Sequence, residues 1–179
     1  MTRLISPIGD GWETVQTVAS AISAWEQTVG YTLPADYRAF LISYNGGRPH
    51  PNTFRHTALA PEEGSENPTE HFVDPFYSWE RVVEWSHELG NRLPTRCLAI
   101  GADPGLLEIV LSLRTEDFGA TYSWVRNWVS WGSADNNYLC PQALSFGTFI
   151  AALFDDDEQN GYDYWYTPRR ESLKRTLNV

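Results

Sequence analysis

The sequence predicts a single α+β domain over residues 1–179, with helices that flank an antiparallel sheet. Three observations predict it. The chain is too short for two full domains, its early segments repeat apolar residues at helical spacing, and residues 96–125 contain three short apolar runs separated by turns. Helices set beside an antiparallel meander are typical of the α+β class. We assign residues 12–154 to the domain core, 61–74 to an acidic loop and 155–179 to a C-terminal extension.

Residues 12–29 are predicted to form the first helix, because their apolar residues recur at spacings of three and four. These residues are Val15, Val18, Ala19, Ile22, Trp25 and Val29. Asp10 can cap the start of the helix, with Glu13 three residues later. Gly30 can end it, since glycine adopts the left-handed conformation at little cost.

Residues 31–47, YTLPADYRAFLISYNGG, predict a second and shorter helix. Pro34 suits the first helical position, where its missing N–H needs no partner. One apolar stripe follows at helical spacing, formed by Tyr37, Phe40, Leu41 and Tyr44. Asn45, Gly46 and Gly47 then stop the helix. Because these glycines follow a helix and do not precede one, they do not favour a phosphate-binding loop.

Residues 52–60 are predicted to form a strand, and 61–75 to form an acidic loop. Ser78 is a candidate cap for a third helix, which runs to Leu89 and ends at Gly90. Its inner side is predicted to consist of Val82, Trp85 and Leu89.

Three strands of a meander are predicted at 96–101, 106–113 and 120–125. A final helix is predicted over 141–154, after a loop, and the C-terminal tail over 167–179 suggests one more short helix. The residues of the 141–154 helix expected to face the sheet are Leu144, Phe149, Ile150, Leu153 and Phe154.

The charge is strongly unbalanced, with 23 acidic and 13 basic residues and a formal net charge of −10. Residues 61–74 and 155–163 each hold five acids and no Lys or Arg, so these two segments carry the whole excess. They are either solvated loops that keep the protein soluble or the source of a negative field aimed at a basic partner. Nucleic acid is disfavoured as a direct ligand, because its phosphates would be repelled. The acidic candidates for partner binding are Glu62, Glu63, Glu66, Glu70, Asp74, Glu116, Asp117, Asp155, Asp156, Asp157 and Glu158.

Three tryptophans lie close together in the segment YSWVRNWVSW. Trp124 belongs to a predicted strand and is expected to pack in the core. Trp128 and Trp131 lie in or beside a loop, where they are either core residues or exposed anchors of an interface.

A search for catalytic motifs finds no G-x-S-x-G elbow, no H-E-x-x-H pair and no phosphate-binding or dinucleotide-binding glycine motif. Cys97 and Cys140 lack metal-ligand spacing, and Cys97 lies in an apolar strand that favours an inert core thiol. Residues 156–161 resemble the start of a calcium loop, but Thr167 stands where a bidentate Glu is needed. We therefore expect no catalytic residue, no metal and no cofactor.

No apolar run approaches the roughly 18 residues of a transmembrane helix, and the N-terminus has no apolar signal region. A soluble cytoplasmic protein is expected.

A set of short motifs in a fixed order resembles the SUKH superfamily, in its Smi/Knr-like branch. The resemblance spans residues 12–154 and includes Leu-Pro-x-Asp-Tyr, Asn-Gly-Gly, Ile-Gly and Ser-Phe-x-x-Phe. The turn after Ile-Gly is Ala-Asp-Pro-Gly, where the family often has Gly-Gly or Gly-Asn. The motif residues, which the resemblance implies are scaffold, are Trp25, Leu33, Pro34, Tyr37, Asn45, Gly46, Gly47, Ile100, Gly101, Phe146 and Phe149.

Bacterial members of this superfamily are immunity proteins for polymorphic and contact-dependent toxins, many of them nucleases, and fungal relatives regulate cell-wall synthesis and signalling. The resemblance implies a binding module without catalysis. We expect an immunity protein that binds a basic toxin domain, with a nuclease favoured, and blocks its active site. The alternatives are a non-catalytic regulatory or scaffold protein and, from another class, a hydrolase without a recognisable motif.

Overall fold

The computed structural model describes residues 2–8, 12, 15–56, 69–105, 107–155 and 173–179. The helices are α1 (Val15–Val29), α2 (Ala35–Tyr44), α3 (Trp79–Leu89) and α4 (Phe146–Ala152), and a 3₁₀ turn (Gly90–Arg92) follows α3. The strands are β1 (Leu4–Ser6), β2 (Arg48–His50), β3 (Thr53–His56), β4 (Thr69–Phe72), β5 (Cys97–Ala102), β6 (Leu107–Ser112), β7 (Thr121–Val125), β8 (Leu139–Ala143) and β9 (Arg175–Thr176). No helix among these residues is long and apolar enough to cross a membrane.

The strands form antiparallel ladders, which confirms the predicted α+β class. A four-stranded sheet has the order β5-β6-β7-β8, a three-stranded sheet has the order β2-β1-β9, and β3 pairs with β4. Phe76 connects the first two sheets, because it forms one bridge with Gly47, just before β2, and another with Gly101 in β5.

Aromatic side chains from distant parts of the chain fill the main core. Phe146 lies 4.9 Å from Phe40, 5.0 Å from Tyr37 and 5.2 Å from Phe76, measured between ring centroids. All four are fully buried, so α2 and α4 are held together by the rings that they share. Phe149, one turn further along α4, extends the cluster to Phe54.

Alternate residues of β6 face two different clusters, as the pleat of a strand requires. Leu107, Ile109 and Leu111 belong to the main core. Val110 belongs to a smaller cluster on the other face of the sheet, together with Leu89, Leu93, Cys97, Ala99 and Trp124. The expected core position of Trp124 is confirmed.

The predicted helix over 141–154 is wrong in its first part. Residues 139–143 form β8 and pair with β7, and α4 begins only at Phe146, where Ser145 accepts a hydrogen bond from the Thr148 amide. Leu144, expected to face the sheet, is 89% exposed. Because Pro141 has no N–H, it fits the outermost strand of a sheet better than the interior of a helix.

The structure also corrects three smaller expectations. Thr69–Phe72, placed in an acidic loop, forms β4. The tail, placed in a short helix, forms β9 within its described part, 173–179, and pairs with β1, for which no strand was predicted. Pro34 occupies the N-cap position, directly before the first helical residue of α2, and not the first helical position itself.

The predicted ends of the other helices are confirmed where the structure describes them. Gly30 has a φ of +75° directly after α1, and Gly90 has a φ of +53° directly after α3. Ser78 accepts a hydrogen bond from the Arg81 amide and so caps α3. The proposed caps of the first helix, Asp10 and Glu13, lie outside the described residues, as do 57–60 of the predicted strand.

Candidate partner-binding surface

The Asn-Gly-Gly exit of α2 is a joint between elements. Asn45 adopts a left-handed conformation with a φ of +45°, and its Oδ1 accepts a hydrogen bond from the Trp79 amide at the start of α3. A Cβ on Gly46 would lie 2.7 Å from the Tyr77 carbonyl carbon, and one on Gly47 would lie 2.7 Å from the Ser6 carbonyl oxygen. These residues therefore act as scaffold and leave no room for a ligand.

The other family-type motifs also hold elements together. Asp36, in the Leu-Pro-x-Asp-Tyr motif, accepts a 2.8 Å hydrogen bond from the Gly147 amide in the first turn of α4. Trp25 packs edge-on against Trp79 with 5.3 Å between ring centroids. A Cβ on Gly101 would lie 2.9 Å from the Pro75 carbonyl oxygen. The remaining motif side chains Leu33, Tyr37, Ile100, Phe146 and Phe149 are buried in the main core.

A network of polar side chains fixes the turn at 114–119 that connects β6 to β7. Asp117 accepts hydrogen bonds from the Ser112 hydroxyl at 2.5 Å, the Tyr122 hydroxyl at 2.6 Å and the Arg114 guanidinium. Burial raises the pKa of the Asp117 carboxyl, but these three donors outweigh it and lower the pKa overall. The turn is thus held by an ionised carboxylate.

A shallow pocket of about 550 Å³ opens beside this turn, over β7 and β8. Phe118 at its rim is 48% exposed, and Leu144 on the other side is 89% exposed. Glu116 and Asp117 are the charged residues among the described residues that line it, and the Glu116 side chain is 72% exposed. The pocket therefore combines exposed apolar side chains with carboxylates, and no Lys or Arg among the described residues lines it. We call it the Phe118–Leu144 pocket.

The two candidate tryptophans lie elsewhere, in the loop that follows β7. Trp128 is 89% exposed, and the Arg92 guanidinium lies 5.9 Å from its ring centroid. Trp131 is half-buried and packs against the smaller cluster. The Phe118–Leu144 pocket lies beside the start of β7, whereas Trp128 and Trp131 come after the end of β7. The structure therefore does not bring Glu116 and Asp117 together with these two tryptophans.

The remaining acidic candidates are scattered. Glu70 on β4 forms an exposed ion pair with Arg55 at 3.2 Å, and the half-buried Asp74 pairs with Arg48. Asp155 is exposed at the end of the described core. The other acidic candidates, Glu62, Glu63, Glu66, Asp156, Asp157 and Glu158, lie outside the described residues, as does the calcium-like stretch 156–161.

The chemistry available to the described side chains is limited. Burial raises the pKa of the Cys97 thiol to about 11, so this cysteine is an inert core residue, as expected. No group of His, Cys, Asp and Glu among the described residues has the arrangement of a metal site. His71 lies between Asp103 at 3.2 Å and the Thr69 hydroxyl at 2.8 Å, and the contact with Asp103 fastens β4 to the turn after β5.

The apolar half of the pocket was missed from the sequence. Phe118 had a detectable signal, since a large aromatic residue in the otherwise polar turn RTEDFG has no local core to join. No such signal marked Leu144 as exposed, because the apolar residues around it fitted the periodicity of a helix.

One family model matches most of the chain. The model of the SMI1 / KNR4 family (SUKH-1) matches residues 19–152, which is most of the chain and includes every motif described above. No curated protein matches the chain significantly.

Proposed function

Since this chain belongs to the SMI1 / KNR4 family (SUKH-1), which includes toxin immunity proteins, we propose that it is an immunity protein that binds and neutralises a cognate toxin domain. The observation that carries the proposal is the Phe118–Leu144 pocket. It presents two exposed apolar side chains beside carboxylates on a turn that is already fixed. Exposed apolar groups of this kind are expected at protein-binding surfaces.

The charge of the chain favours a basic toxin, and we favour a nuclease from a polymorphic or contact-dependent system. A formal net charge of −10 attracts a basic domain over a distance of about a Debye length and speeds the encounter. A nuclease needs Lys and Arg residues to hold phosphates, and carboxylates of this protein would meet those same residues. In this proposal the protein acts in the cytoplasm and needs no metal or cofactor.

The proposed mechanism is stoichiometric occlusion of the active site of the toxin. An inhibitor of this kind must remain bound for longer than the toxin takes to meet its substrate. We expect an interface near or above the common ~1,600 Å². We also expect nanomolar affinity or better, which corresponds to about −12 kcal/mol. A few buried anchors should supply most of that free energy.

A regulatory or scaffold protein without a toxin is the second candidate. It is favoured by the Trp128 surface, because an exposed tryptophan beside Arg92 offers a second binding surface apart from the Phe118–Leu144 pocket. A protein with two such surfaces can hold two partners at once.

The test is a titration of this protein against the C-terminal domain of a large secreted protein encoded beside its gene. Occlusion predicts that inhibition of the toxin is complete near one equivalent, and that the toxin recovered by denaturation and refolding is intact and active. Complete inhibition far below one equivalent, with a cleaved or modified toxin, would mean that this protein is an enzyme. Failure to bind any neighbouring toxin domain would favour the scaffold role.

A further inference from the structure

We propose that the Phe118–Leu144 pocket is the surface that docks the toxin, and that it receives an apolar side chain of the toxin flanked by Lys or Arg. This inference rests on the proposed function and assigns a location and a chemistry to it.

Large apolar side chains are exposed at several places on the surface. In the described part of the chain these residues are Ile8, Tyr31, Phe118, Val125, Trp128, Leu144 and Val179. Phe118 and Leu144 line the same pocket, although they come from two different connections of the sheet. Water is removed from both side chains if a partner covers this pocket.

Two carboxylates, those of Glu116 and Asp117, line the pocket. Asp117 is occupied by Arg114, Ser112 and Tyr122, which keep it ionised and fixed. Glu116 is 72% exposed, and its nearest cation, Arg114, is 3.9 Å away. A Lys or Arg of a partner would therefore find Glu116 accessible, whereas an acidic partner would be repelled by it.

The turn that carries Phe118 is held in place, which favours a role for this exposed side chain in binding. The Asp117 network holds 114–119 from inside, and the Cβ position of Gly119 lies 3.5 Å from the Pro34 side chain at the start of α2. Because the turn is ordered before the partner arrives, little conformational entropy is lost when Phe118 is covered. The Trp128 surface differs in charge, since the cation Arg92 lies beside the ring.

The first arm of the test uses the neighbouring toxin domain and measures inhibition constants. Leu144→Asp should weaken inhibition by about tenfold to a hundredfold, because it places a charge in the apolar contact. Glu116→Gln should slow association severalfold at low salt. The matched controls, Val125→Asp and Glu80→Gln, also alter exposed residues and should stay within about twofold of wild type. Unchanged melting temperatures establish that every variant is folded.

The second arm needs no toxin and uses a blocked Arg-Leu-Arg tripeptide, with Glu-Leu-Glu as its control. At millimolar concentration, Arg-Leu-Arg should shift the backbone amide NMR signals of 115–120 and 142–144 in wild type. The same peptide should shift them less in Leu144→Asp, and Glu-Leu-Glu should leave them in place.

The outcomes separate the two proposals. If wild type inhibits the toxin and Leu144→Asp inhibits it equally well, this docking surface is overturned while the immunity function stands. If Trp128→Ala abolishes inhibition and Leu144→Asp does not, the docking surface is the Trp128 loop. If wild type does not inhibit, the immunity function falls, and the peptide arm decides alone: equal shifts from both peptides, or none, would overturn the pocket.

Discussion

At the scale of single residues, the exit of α2 shows how a short motif fixes several contacts at once. Asn45 ends its own helix in the left-handed conformation and accepts a hydrogen bond from the first amide of α3. Gly46 brings the backbone within contact distance of Phe76, Tyr77 and Ser78, where a side chain has no space. The motif is therefore required by packing, which explains its place in the family pattern without a ligand.

Gly46 provides a prediction with a matched control at the same scale. Gly46 and Gly132 have nearly equal φ values of +88° and +85°, but a Cβ meets backbone atoms at 2.7–2.8 Å only at Gly46 and meets nothing within 4 Å at Gly132. Gly132→Ala should cost about 1–2 kcal/mol from backbone strain alone. Gly46→Ala should cost about 1–3 kcal/mol more, because its methyl group overlaps the backbone before α3.

Free energies of unfolding from urea titrations measure both costs. Equal losses for the two variants would show that the close approach at Gly46 contributes nothing, and that backbone conformation alone requires the glycine.

At the scale of elements, a buried carboxylate ties α3 and the loop after β7 to the sheet. Glu108 on β6 has a side chain only 2% exposed. It accepts hydrogen bonds from the Tyr77 hydroxyl at 3.0 Å, Trp85 Nε1 at 3.1 Å and Arg126 at 3.2 Å. Burial is the largest influence on this group and raises its pKa, although the donors and Arg126 act in the opposite direction.

The raised pKa of Glu108 gives a pH dependence of defined sign. A carboxyl whose pKa is higher in the folded state stabilises the fold fully below its unfolded value of about 4.5, and this stabilisation is lost as the pH rises through the folded value. The free energy of unfolding of wild type minus that of Glu108→Gln should therefore be largest near pH 4 and fall towards pH 8.

Chemical denaturation at several pH values measures this difference, and the exposed substitution Glu80→Gln serves as the control. If this difference in the free energy of unfolding instead grows with pH, the contacts with Arg126, Trp85 and Tyr77 stabilise the ionised Glu108 carboxylate more than burial destabilises it.

At the scale of the whole molecule, the excess negative charge is concentrated in two segments of the sequence. Several acids of the described core are bound to specific cations or donors, as with Asp74 and Arg48, Glu108 and Arg126, and Asp117 and Arg114. The excess of the sequence comes from 61–74 and 155–163, which contain no Lys or Arg. These two segments are therefore the source of the long-range field of the molecule.

Neutralising this field should change the rate of toxin binding more than its lifetime. Replacing Glu62, Glu63, Glu66 and Glu70 by Gln, or Asp155 to Glu158 by their amides, should slow association about threefold to tenfold at low salt and flatten its dependence on salt. Stopped-flow association rates at several salt concentrations measure both effects. A slower association for either set of variants is enough to support this prediction, since the other segment can face away from the toxin. If neither set of variants alters the rate at low salt, the acids only solvate the protein.

The sequence alone determined the features that depend on neighbours along the chain. Gly30, Ser78, Gly90 and the Asn-Gly-Gly motif mark helix ends, because capping and positive φ are decided within a few residues. Short apolar runs bounded by turns predicted the strands of the meander for the same local reason. The acids of the pocket, Glu116 and Asp117, were also among the predicted candidates.

Only the tertiary structure decided which strands exist at the two ends of the chain and where the apolar half of the pocket lies. β1 and β9 are three and two residues long and form because they pair with each other across almost the whole chain. Residues 139–143 are a strand because β7 offers them backbone partners, although their apolar pattern also suits a helix. Phe118 and Leu144 share a pocket because the pairing of β7 with β8 brings the turn before β7 close to the end of β8. A backbone hydrogen bond between strands depends on the partner that folding supplies, and no local spacing in the sequence records that partner.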